Sequence, residues 1–280
     1  MDVSRLAPVE RLLRLLALEQ IDRDLFLGEP GPGEGRLFGG LVAAQSVVAA
    51  ARTVRERALH SLHAYFLRPG RHDVPLRFAV DEIRDGRTFT TRRVVAQQAG
   101  EAIFSLAASF ARPEDGISHQ DPAPDAPAPE GFEEWEIARA RLEGGEPPRP
   151  SPIELRVVDA DDPERPQPPR RRAWLRPRTP LPDDPTVHAA ALVYASDRVL
   201  LGTVARPHRL PRSVRMAASL DHALWIHRAP VRFDDWLLYA MESPVAHQAR
   251  GLALGGLYAR DGTRVATVAQ EGLIRAPRGL

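Results

Sequence analysis

Two stretches of the chain are apolar on nearly every side, and each is followed by runs that alternate. The first is 36–54, which enters through Gly39-Gly40 and is built mostly of Ala and Val. The second is 183–201, DDPTVHAAALVYASDRVLL. A helix that is apolar all round is buried. Asp184 is placed to cap the second helix, and Pro185 suits its first turn, where a missing N–H costs nothing. An amphipathic helix is predicted over 8–18, opened by Pro8, with Leu12, Leu13, Leu15 and Leu16 on its apolar side. Residues 18–28 alternate as a strand does, and 28–35 form a loop by their Gly and Pro content. After the first buried helix come strand-like runs at 60–70, 75–86, 87–100 and 101–112, the last two joined through an Ala99-Gly100 turn. Strands are expected at 152–160 and 170–181 before the second buried helix. After it come runs at 216–228, 233–246, 249–262 and 263–275. Asp261-Gly262, a strong hairpin dipeptide, stands where Ala99-Gly100 stood.

The same order therefore occurs twice: a long apolar helix, then an antiparallel meander. SLHAYF (61–66) and SLDHALW (219–225) sit at the same point of each half. This reads as a tandem duplication of one α+β unit, a helix wrapped by a curved sheet. The first unit spans 1–112 and the second 151–280. Residues 113–150 are rich in Pro and acidic residues and read as a linker, with a short helix at 133–143.

Aligning the two buried helices puts Val48 in the slot of Asp197, and aligning the last strands from their turns puts Ala108 in the slot of Gln270. Asp197 is the anomaly, a carboxylate preceded by Ala195 and Ser196 and followed closely by Val199, Leu200 and Leu201. Buried, it must be paired, hydrogen-bonded or protonated. The residues alone equally allow it to face solvent beside Arg198. Ala266, Val268, Gln270 and Ile274 share one apolar strand face, so Gln270 is expected to point at the helix. The phase of Ser219 is ambiguous, because Asp221 falls on its face.

Composition narrows the chemistry. The 280 residues carry 38 basic and 37 acidic side chains, a net charge of +1, which makes no case for nucleic-acid binding. All the basic residues are Arg. There is no Cys, so disulfides, thiolate metal sites and Cys nucleophiles are excluded. No His, Asp or Glu spacing suggests a metal, no cofactor motif is present, and no GxSxG elbow marks a Ser-His-Asp hydrolase. The N-terminus lacks the features of a signal peptide, and no run approaches the ~18 apolar residues of a membrane span. A cytoplasmic protein is expected. His60 and His63 are general-base candidates by residue type, although a packed or surface His is the commoner case.

The runs LFGGLVAAQ (37–45), HSLHAYFLRPG (60–70), IRDGRTFTTRRV (83–94), YASD (194–197), LDHALWIHR (220–228), WLLY (236–239), ARG (249–251) and AQEGLIR (269–275) together resemble the type II, TesB-type acyl-CoA thioesterases. The resemblance covers nearly the whole chain outside the linker. It implies a double hotdog, two sheets joined side by side, each wrapped around its own helix. It also implies an acyl-CoA substrate, a homodimer or homotetramer, and a catalytic set of Asp197, Ser219 and Gln270. Many relatives carry Thr where this chain has Ser219; the hydroxyl is kept and the methyl that stiffens χ1 is lost. The family further suggests that Gly39 or Gly40, at a helix N-terminus where unpaired N–H groups gather, binds the oxyanion.

With that set, the expected reaction is attack of water on the thioester, the water's proton passing to Asp197 and its lone pair aimed by Gln270 and Ser219. A covalent acyl–Asp197 anhydride is the less favoured variant. The expected chain has one hydrolytic site, with side chains from the second half and backbone donors from the first. Two alternatives stand beside it: a non-catalytic acyl-CoA-binding protein, and a hotdog enoyl-CoA hydratase, whose GDxNPxH-like run is absent. Arg68 and Arg250 are the residues expected near the CoA phosphates, against the default of solvated surface Arg.

Overall fold

The computed structural model describes residues 3–162, 165–208 and 216–275. Helix α1 spans Pro8–Leu16, α2 Gly39–Ala51, α3 Trp135–Glu143 and α4 Pro185–Ser196. The strands are β1 (Glu19–Asp22), β2 (Leu25–Gly28), β3 (Ala58–Phe66), β4 (Leu76–Asp85), β5 (Phe89–Gln98), β6 (Glu101–Ala111), β7 (Ile153–Val157), β8 (Arg170–Pro177), β9 (Met216–Ser219), β10 (Asp221–Ile226), β11 (Leu237–His247), β12 (Arg250–Ala259) and β13 (Arg264–Arg275). They form one antiparallel sheet in the order β1-β2-β4-β5-β6-β3-β10-β13-β12-β11-β8-β7, with β9 alongside β13. The two halves join at β3 and β10, where Leu62 stands opposite Leu224 and Ala64 opposite His222. This is a double hotdog.

The apolar helices are buried as their composition requires. Every residue of α2 from Gly40 to Ala50 is buried, and α4 buries Ala189 to Val193. Their side chains merge with Leu62, Phe78, Leu106, Phe110, Leu224, Leu257 and Val268 of the sheet in one core. Asp184 caps α4, its Oδ1 accepting from Thr186 N–H at 2.8 Å. The helices pack head to tail: the first turn of α2 meets the last turn of α4, and Val47 and Ala51 of α2 share a cavity with Pro185 and Ala189 of α4.

Three local expectations change. Residues 18–28 are a β-hairpin rather than one strand, because Arg23–Asp24 turns the chain so that Gln20 pairs with Phe26. The run 216–228 breaks at Leu220, whose N–H donates to Glu271 O while its own carbonyl accepts from Phe66 N–H. The second buried helix ends at Ser196 rather than at 201, and residues 201–208 form a 3-10 helix that packs on β11–β13. The segment read as a linker is held along the second sheet: Trp174 Nε1–H donates to Pro127 O at 2.8 Å, and Gln120 bonds Gly262 O and Arg264 N–H. Ala123 and Ala126 pack on the cluster of Trp174, Trp236, Leu238 and Tyr258. Pro and acidic residues suit such an extended strap, whose polar backbone stays at the surface.

Candidate active site

The end of α4, the strand edge at β9–β13 and the start of α2 converge on Asp197. Asp197 is the C-cap residue of α4. Gln270 is fully buried on β13, and its Nε2 donates to Asp197 Oδ1 at 2.7 Å and to Ser219 Oγ at 3.1 Å. Both amide protons of Gln270 are thus committed, while Oε1 is buried and meets no protein donor. The break at Leu220 resolves the phase of Ser219: Ser219 on β9 faces the site, whereas Asp221 beyond the break accepts Glu271 N–H at 2.6 Å.

The two glycines are placed differently from their expected shared role. Gly40 N–H faces the Asp197 carboxylate and favours its ionised form. Gly39, at the first helical position, has no intrahelical acceptor for its N–H. Close approach requires the glycines. A Cβ on Gly39 would lie 2.4 Å from Phe66 Cε1 and 3.2 Å from Asp197 Oδ2, and one on Gly40 would lie 2.9 Å from Tyr194 O.

Burial pushes the Asp197 carboxyl up to about 6; the hydrogen bonds from Gln270 and Gly40 and the charge of Arg198 act in the opposite direction but do not cancel it. Its side chain is only partly exposed, to a cavity of about 470 Å³ that Leu12, Leu41, Phe38, Tyr194 and Arg198 also line. Behind it, Tyr239 Oη–H donates to Ser196 O at 2.9 Å. Ser196 Oγ donates to Val193 O and accepts from His222 Nε2–H at 2.9 Å. Burial drops the His222 pKa to about 4, so this ring is neutral and fixes the helix end by hydrogen bonding. Residue-by-residue reading singled out neither Tyr239 nor His222; the signal available was a polar atom on an otherwise inward, apolar strand face.

The remaining candidates lie elsewhere. His60 Nε2 bonds Ser109 Oγ at 2.8 Å and His63 stands edge-on to Trp225, and neither lines the Asp197 cavity. Arg68 is engaged with Ala102 O and Glu101, and Arg250 with Glu271. Neither lines the cavity, so neither is placed as expected for CoA contacts. No metal-ligand cluster occurs among the described residues.

The first half carries no polar equivalent. Leu59 pairs with Phe110 across β3 and β6 as Ser219 pairs with Gly272 across β9 and β13. In that register Leu59 stands in the place of Ser219 and Ala108 in the place of Gln270. The matching cavity, about 400 Å³ at the other end of the helix pair, is lined by Val47, Ala51, Leu59, Phe110 and Ala189.

Comparison with known proteins accounts for this architecture. Family models described as the acyl-CoA thioesterase N-terminal and C-terminal domains match residues 29–111 and 117–274. The chain belongs to the TesB-type acyl-CoA thioesterase family. This thioesterase is 38% identical to acyl-coenzyme A thioesterase 8 of Mus musculus, over 93% of this chain and 88% of that one. It is 36% identical to acyl-CoA thioesterase 2 of Haemophilus influenzae, over 95% and 98% of the two chains. The crystal structure of acyl-CoA thioesterase II TesB2 from Mycobacterium marinum superposes with a TM-score of 0.78 at 41% identity, covering 96% of the thioesterase and 98% of that chain. The C-terminal model begins at residue 117, so it takes in most of the segment between the two hotdogs.

Proposed function

We propose that this thioesterase hydrolyses acyl-CoA to a free fatty acid and CoA at a single site per chain, by direct attack of water. The observation that carries the reading is the Gln270 amide spanning Asp197 and Ser219 while its buried Oε1 is left to accept from a water. A water held by Gln270 Oε1 and the Asp197 carboxylate has one proton aimed at the base and a lone pair free for the carbonyl carbon. As the water's oxygen bonds that carbon, its proton passes to Asp197. The tetrahedral oxyanion then collapses, the C–S bond breaks, and Asp197 returns the proton to the departing thiolate. A base whose pKa lies near 6 is mostly ionised at neutral pH yet far stronger than a free aspartate. Gly39 N–H, at the positive end of α2, is the backbone donor suited to the oxyanion, since Gly40 N–H faces the Asp197 carboxylate.

The arrangement favours water over a covalent acyl–Asp197 anhydride. Two groups positioned to hold a water are of no use to a carboxylate attacking by itself. Single-turnover hydrolysis in H₂¹⁸O decides between the routes. Direct attack puts the label in the fatty acid and none in Asp197, whereas an anhydride opened by water at its aspartyl carbon labels Asp197, and a trapped acyl-enzyme would contradict the proposal. A homodimer or homotetramer acting in the cytoplasm is part of the same reading. It is supported by the family resemblance and by the lack, among the described residues, of any helix long and apolar enough to cross a membrane; light scattering and cell fractionation test it.

A further inference from the structure

We propose that the segment between the two hotdogs is a working part of the acyl-CoA site, and that Arg139 and Arg149, together with Arg11 of α1, hold the phosphates of CoA. The inference rests on the acyl-CoA reading above. The cavity that reaches Asp197 is walled on its outer side by α3 and by residues 148–152. A thioester carbonyl that reaches Asp197 through this cavity passes that wall. Its charged lining is mostly basic: Arg11, Arg139, Arg149 and Arg198 against Glu136 and Asp197.

These arginines are not equivalent. Arg198 is consumed internally, because its guanidinium pairs with the buried Glu136 of α3 and bonds Ser151 Oγ. That pair ties α3 to the residue next to Asp197 and removes both groups from service to a ligand. The other three keep guanidinium N–H groups that no carboxylate holds. Arg11 donates to the neutral Pro150 O at 3.0 Å, and neither it nor Arg149 is ion-paired with a described carboxylate. Arg139 lies 4.8 Å over the Trp135 ring, and its buried Nε makes no hydrogen bond but pairs loosely, at 3.7 Å, with the half-exposed Glu143. Stacking on Trp135 fixes the guanidinium plane, as a fork for a phosphate requires. The three come from α1, α3 and the end of the segment, so they converge only once the strap is seated against the second sheet. A cluster of like charges at a cavity mouth, with Arg149 exposed and Arg11 and Arg139 partly so, suits a polyanionic ligand, and CoA carries its phosphates at the end remote from the thioester.

The test compares Arg139→Gln, Arg149→Gln and their double variant with the wild type, using Arg250→Gln as a surface control. An acyl-CoA and the acylpantetheine with the same acyl group, which lacks the nucleotide phosphates, serve as paired substrates. Binding of CoA itself is followed by calorimetry, which does not depend on turnover. Each single variant is expected to raise KM for acyl-CoA, and Kd for CoA, about fivefold, the equivalent of one partly exposed charge pair. The double variant is expected to raise them about 25-fold if the two contacts add. In all of them kcat and the KM for acylpantetheine stay at wild-type values, as do all constants of Arg250→Gln. An unchanged CoA affinity in the double variant would overturn the proposal, as would an equal loss with both substrates, which marks a merely structural wall. A wild type that binds CoA through these arginines but hydrolyses neither substrate would sink the hydrolytic reading and leave this one standing.

Discussion

Replacing Asp197 by Asn should make the protein more stable, and the size of the gain follows from the site. The Asp197 carboxyl rises from its ordinary 3.8 to about 6 because it is desolvated at the end of α4. Ionising it in the folded protein is therefore harder than in the unfolded chain by about 3 kcal/mol. Between about pH 4 and pH 6 the folded state holds a proton that the unfolded state has lost, so this contribution to stability falls as pH rises through that window and is fully lost above it. Asn keeps the shape, and its one carbonyl oxygen still accepts from Gln270 without charge. That bond is weaker than a charge-assisted one, so a net gain of about 1–3 kcal/mol is expected at pH 7.5. At about 2 °C per kcal/mol for a chain of this size, Tm should rise by about 2–6 °C. Differential scanning fluorimetry of both proteins from pH 4 to 8 is the assay, and at pH 4 the two curves should nearly coincide. A variant less stable than wild type at pH 7.5, or a difference that does not grow between pH 4 and 6, would refute the idea that Asp197 is a desolvated, destabilising carboxylate.

The same group sets the pH dependence of turnover: the acid limb of kcat/KM should have its midpoint near 6, because the base must be ionised, and a limb near 4 would mean another group acts. Gln270→Ala removes a donor that favours the ionised form, so that limb should move to higher pH while kcat falls about 100-fold, readable in one pH-rate series. Gly39→Ala forces a methyl to 2.4 Å from Phe66, and should cost about 1–3 kcal/mol of stability by thermal melts as well as activity.

Much of the fold was legible because its logic is repeated. The apolar composition of α2 and α4 dictates burial, and the alternating runs after each dictate a sheet with one face on a helix. The Asp184 cap and the inward phase of Gln270 could be read from local pattern alone. Placing Ser219 needed the break at Leu220, which depends on Glu271 pairing across the sheet and has no local signature. The hairpin at 18–28 was hidden because Arg23–Asp24 lacks the Gly that usually marks a tight turn. Glycines at 39 and 40 signalled close approach, but not that the approaching group would be Asp197. The segment 113–150 was the largest omission. Its Pro and acidic composition describes a polar, extended chain correctly and carries no information about what that chain lies against, which Trp174 and the cavity wall decide.

The most direct test of the account is thiol release from a panel of acyl-CoAs, acetyl to palmitoyl, by wild type and Asp197→Asn side by side, with acyl-CoA binding measured on the variant. Wild-type turnover on at least part of the panel, lost about 1,000-fold or more in a variant that still binds substrate, is the predicted result. Undiminished turnover by Asp197→Asn would contradict the assignment of the base, and binding without turnover by the wild type would contradict the proposed hydrolysis.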